Sequence, residues 1–134
     1  MTDDIQELKE ITRKTSEMLF GKQERGEGPY SVWHKFDKDL AKHISMFYSG
    51  RLYSREVITQ RERELCAVAA LTVLDRHREL KMHIMAALNV GAEPREVAEV
   101  IFQMATYGGM PTMVEGMFAL KEVLEERGEW EDEK

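Results

Sequence analysis

Residues 64–111 read ELCAVAALTVLDRHRELKMHIMAALNVGAEPREVAEVIFQMATYGGMP. Apolar residues recur here at three- and four-residue steps, the period of an amphipathic helix, and no segment alternates with the period of two that a strand requires. Just ahead, Thr59-Gln60-Arg61-Glu62 has the form of a capping box, in which each side chain satisfies the other residue's backbone donor. A helix is therefore expected over 60–74, with Leu65, Cys66, Val68, Ala69, Leu71, Thr72 and Val73 turned inward. A second begins at or near Asp75, buries Leu80, Met82, Ile84, Met85, Ala87 and Leu88, and stops at Asn89-Val90-Gly91, where glycine supplies a left-handed cap. Pro94 opens a third, with Glu96 and Glu99 in its positive first turn, and this one ends at Tyr107-Gly108-Gly109. Pro111 opens the last, which runs to about Glu126 on Val114, Met117, Phe118, Leu120, Val123 and Leu124.

The upstream half reads as two more helices. Thr2, Asp3 and Asp4 suit a helix start, and Ile5, Leu8, Ile11, Thr15, Met18 and Leu19 form one face before Gly21. Residues 21–29, GKQERGEGP, hold three glycines and a proline and read as a mobile loop. A helix then carries Val32, Trp33, Phe36, Leu40, Ile44 and Phe47, expected in the core, and closes at Ser49-Gly50. The expectation is an all-α domain of about six helices spanning residues 1–134, with an acidic tail over 127–134.

With 134 residues the chain has room for one domain. Its net charge of −6 argues against nucleic acid as a partner, since phosphate binding calls for a basic surface. No apolar run reaches the roughly 20 residues that cross a bilayer, so no membrane partner is expected. The acidic start MTDDIQELKE lacks the features of a signal peptide, and a cytoplasmic location is expected. Cys66 is the single cysteine, which leaves no disulfide and no Cys-x-x-Cys chemistry within one subunit.

Chemistry concentrates in the quoted stretch. Glu64, Val68 and Leu71 share one helical face, so Glu64 is either buried beside apolar neighbours or an exposed partner of Arg61 or Arg63. His83 lies between Met82 and Ile84, the setting of a core histidine or of an acid/base group. Glu79 stands one turn earlier, where its carboxylate can hold the imidazole, and Arg76 stands three residues before that. A cation, a carboxylate and an imidazole in one row make a plausible acid/base set. Glu79, His83 and Glu64 also supply three ligand types, but neither His-Glu-x-x-His nor Glu-x-x-His is present and no metal is expected. The methionines of the second half read as adaptable core filling or a subunit contact, and Cys66 as an inert small hydrophobe.

Arg63-Glu64-Leu65, followed by HRELKMHIMAALNVGAEPREVAEVIFQMATYGGMP (77–111), resembles the carboxymuconolactone decarboxylase family. The pattern is a helix led by Arg-Glu-Leu, a histidine eight residues before a glycine, and a Tyr-x-Gly-x-Pro element, here Tyr107 to Pro111. The match is strongest over 59–125. In the wider alkylhydroperoxidase D-like group, the family glutamate falls on Glu64 and the family histidine on His83. The two redox cysteines of the peroxidase branch fall on Arg76 and Glu79, so the sequence departs from that branch and is similar to the decarboxylases. The resemblance implies an alkylhydroperoxidase D-like helical subunit that assembles into a homo-oligomer, a hexamer or trimer. It further implies decarboxylation, without a cofactor, of a small carboxylate, a lactone acid such as 4-carboxymuconolactone from aromatic catabolism. In that reading His83, set by Glu64 or Glu79, reprotonates carbon, Arg76 orients the substrate acid, and Tyr107 is a further substrate-binding candidate. Another decarboxylase or isomerase of small acids, or a non-catalytic oligomeric binding protein, remains the alternative.

Overall fold

The computed structural model describes residues 1–22 and 28–131, and among them all regular structure is helical. Most of the expected 21–29 loop and the end of the acidic tail, 132–134, lie outside the described residues. The chain divides into two compact units, Met1–Ile58 and Thr59–Lys134.

In the first unit, α1 spans Ile5–Phe20. Its cap is Asp4, two residues later than Thr2, because the Asp4 carboxylate accepts from the Glu7 N–H at 2.8 Å. Leu8, Thr15 and Leu19 form its buried stripe, and it packs on a π-helical segment, Met46–Leu52. Between them the single helix expected over 31–50 is broken in two. α2 (Pro29–Phe36) ends and α3 (Lys38–Ser45) begins at Asp37, whose backbone is extended at φ −153° and ψ 102°. The Asp37 carboxylate caps α3 by accepting from the Leu40 N–H at 2.9 Å. This break rephases the apolar residues, and the expected core face does not form. Phe36 is 87% exposed and Phe47 60%, with Val32, Trp33 and Leu40 exposed as well, while Ala41 is the buried residue of α3.

The second unit carries the longer pattern, much as its caps foretell. α4 (Gln60–Val73) starts on the capping box, with Thr59 and Glu62 bonding reciprocally at 3.0 Å. Its buried stripe is Glu64, Val68 and Thr72, a strict four-residue step narrower than the sequence implied. Cys66 is exposed, in contrast to the buried role expected of it. The turn into α5 (His77–Asn89) is made at Asp75, which takes the left-handed conformation at φ 57°. α5 buries Leu80, His83, Ile84, Ala86 and Ala87, and stops at Gly91, whose φ is 102°.

α6 spans Pro94–Gln103, with Pro94 in the first turn and the Glu96 carboxylate accepting from the Glu93 N–H at 3.0 Å. Arg61 of α4 pairs with Glu96. A one-turn α7, Ala105–Gly108, precedes α8, Met110–Glu126. The core joins Val68, Leu80, Ile84, Val97, Ile101 and Leu120, side chains each worth about 1.5–3 kcal/mol when fully buried. Gly116 lets α8 approach α4 and α6, since a Cβ there would lie 2.7 Å from Ile101 Cγ2 and 3.1 Å from Thr72 Cγ2. Val114 and Phe118, expected inside, are exposed on α8. They sit on the side of the helix away from Ala119, Leu120, Val123 and Leu124, which it buries. No helix among the described residues is long and apolar enough to cross a membrane.

Candidate functional site

α4 and α5 form an antiparallel hairpin joined by a short turn, and they pack extensively on each other. The packing brings the one carboxylate of the α4 stripe against the one imidazole of the α5 stripe. Glu64 Oε2 lies 2.7 Å from His83 Nδ1. The Glu64 side chain is 0% exposed and that of His83 8%. An ionised carboxylate only accepts hydrogen bonds, so against it the shared proton belongs to Nδ1, which donates to Glu64 Oε2. The second carboxylate oxygen, Oε1, is buried and has no hydrogen-bond partner among the described residues. A buried acceptor left in this state is costly, at about 1–3 kcal/mol, so packing stability alone does not account for a glutamate at this position.

The other candidates stand apart from this pair. Glu79 is half-buried in the first turn of α5 and makes no hydrogen bond or ion pair with His83 among the described residues. It is Glu64, from the neighbouring helix, that orients the imidazole. Arg76 is the exposed N-cap residue of α5. Tyr107 lies on α7 and is 71% exposed. Among the described residues no group of three His, Cys, Asp or Glu side chains converges as a metal site.

A second polar cluster was not foreseen from sequence. His77 Nε2 lies 2.9 Å from Glu122 Oε2, and Lys81 Nζ donates to Glu126 Oε1 at 2.6 Å. Both pairs span 45 residues and each member lies one turn beyond the last, so α5 and α8 run parallel and in register. The hydrogen bond from His77, aided by Lys81, holds the Glu122 carboxyl below the usual carboxylate range. The Glu126 contact in turn raises the Lys81 ammonium above its ordinary value. Nothing local to residues 77–81 advertises these partners, which exist only once the two helices pack.

The family model for the carboxymuconolactone decarboxylase family matches residues 38–122. The chain is 33% identical over 93 residues to the 4-carboxymuconolactone decarboxylase of Acinetobacter baylyi, covering 69% of each chain. It is 37% identical over 91 residues to an uncharacterized 15.0 kDa protein of Paracoccus denitrificans, covering 66% of this chain and 67% of that protein. The matched region contains Glu64, His83, Arg76, Glu79 and Tyr107.

Proposed function

The chain belongs to the carboxymuconolactone decarboxylase family, and from that premise we propose that it decarboxylates a small lactone carboxylic acid resembling 4-carboxymuconolactone, without a cofactor, in the breakdown of aromatic compounds. The observation that carries this reading is the buried Glu64–His83 hydrogen bond. The name of the Acinetobacter relative supports the reaction class.

The chemistry needs little beyond a held substrate and a placed proton. As the bond to the carboxylate carbon breaks and CO2 departs, the electron pair passes into the unsaturated lactone as a dienolate. A proton delivered to ring carbon then completes the product. His83 Nε2 is the proton donor, and Glu64 fixes the tautomer and balances the imidazolium. Arg76, at the positive end of α5, orients the substrate acid. Tyr107 donates to the developing dienolate oxygen, and Glu79 serves the proton inventory on the His83 side of the helix.

The subunit works as a homo-oligomer, a hexamer or a trimer. Large apolar side chains left exposed within each unit, Phe36 and Phe47 in the first and Tyr107 and Phe118 in the second, support this, because a subunit contact would cover such surface. The test of the reaction is to run it in deuterated water. One deuterium on carbon per CO2 released is the expected result. Loss of the lactone acid without CO2 release would overturn the assignment.

A further inference from the structure

On the outer side of α5, a cleft of about 370 Å³ runs against α8. Its apolar floor is Met82, Met85 and Val123, and its rim holds Arg78, Lys81 and Arg127 against one acid, Glu126. That acid is engaged by Lys81 at 2.6 Å, and Arg127 donates to Glu129 and to Asn89. Arg78 alone of the three cations makes no hydrogen bond or ion pair among the described residues. In a chain of net charge −6, three cations around methionines are a marked local inversion.

We infer that this cleft is a second binding site, for a small carboxylate with a short apolar body. Arg78 takes the carboxylate through its planar fork, the geometry in which a guanidinium outperforms an ammonium. Met82 and Met85 receive the hydrocarbon, their unbranched, polarisable side chains conforming to its shape. The volume sits at the small end of the roughly 300–1,000 Å³ typical of small-molecule pockets, which suits a body of several carbons. The site is distinct from the buried pair. With 3.6 residues per turn, His83 lies about 150° round α5 from the mean direction of Arg78, Lys81, Met82 and Met85.

The test uses the full chain with its methionine methyl groups carbon-13 labelled, the Met82 and Met85 signals assigned by replacement with leucine. Hexanoate should move both signals saturably. Hexan-1-ol, which lacks the charge, and acetate, which lacks the apolar body, should each bind at least about tenfold more weakly. Arg78→Ala, an exposed substitution, should weaken hexanoate by about tenfold while the circular dichroism spectrum is unchanged. Equal response to hexanoate and hexan-1-ol, or no loss in Arg78→Ala, would overturn the inference. So would methyl shifts that follow protein concentration and ignore hexanoate, the sign that a second copy covers the cleft.

Discussion

Removing either member of the buried Glu64–His83 pair should cost stability, and removing both should cost less than the sum. His83→Leu leaves Glu64 fully buried with neither oxygen bonded, because Oε1 already lacks a partner. Taking one partner from a buried charged pair costs about 3–5 kcal/mol. Glu64→Leu removes the acceptor of one imidazole N–H and leaves no buried carboxylate behind, at about 1–3 kcal/mol. In the double variant, both polar groups give way to leucines of similar volume, and such an exchange is often close to neutral. The coupling should therefore be at least about 2 kcal/mol, and His83→Leu should be the worse single change. Urea unfolding followed by far-ultraviolet circular dichroism measures all four proteins, at one protein concentration so that assembly does not enter the comparison. Additivity within about 0.5 kcal/mol would refute the reasoning.

Gly116→Ala should destabilise by about 1 kcal/mol in the same assay: the added Cβ meets Ile101 at 2.7 Å, and overpacking of about 1–3 kcal/mol exceeds the roughly 1 kcal/mol that alanine gains over glycine in a helix. The Glu122 carboxyl is held low by His77 and Lys81, so its contribution to stability is full above the unfolded carboxylate value of about 4.3 and is lost as pH falls through its lower folded value. Melting temperature against pH should accordingly fall less steeply on the acid side in Glu122→Gln than in the parent, and parallel curves would count against that role. Light scattering coupled to size exclusion should give a mass several times the 15.6 kDa subunit, reduced by Phe118→Glu if the exposed α8 face is a subunit contact. A monomeric parent would contradict the proposed assembly.

The second unit was legible where its signals are local. Thr59 and Glu62, Gly91, and Pro94 with Glu96 fixed helix ends through bonds to their own backbone neighbours. Glu64 and His83 could each be singled out, but their meeting could not, because they lie 19 residues apart and touch only through the packing of α4 on α5. Spacing favoured Glu79 as the partner of His83, since an i, i+4 pair is visible within one helix whereas a contact between helices is not. The α2–α3 break did leave a trace in Asp37-Lys38-Asp39-Leu40, where an aspartate can cap. Apolar residues continue at helical spacing on both sides of it, so the pattern by itself reads as one helix. The π-helical segment Met46–Leu52 is harder still, for its 7 residues are too few to display a period of their own.

The most direct test of the central claim follows the loss of 4-carboxymuconolactone by the purified protein, alongside Glu64→Gln and His83→Ala. Turnover is expected in the parent, with kcat lower by about 10²–10⁴ in His83→Ala and a smaller loss in Glu64→Gln, all three folding alike. A normally folded His83→Ala protein that retained the full rate would contradict the account.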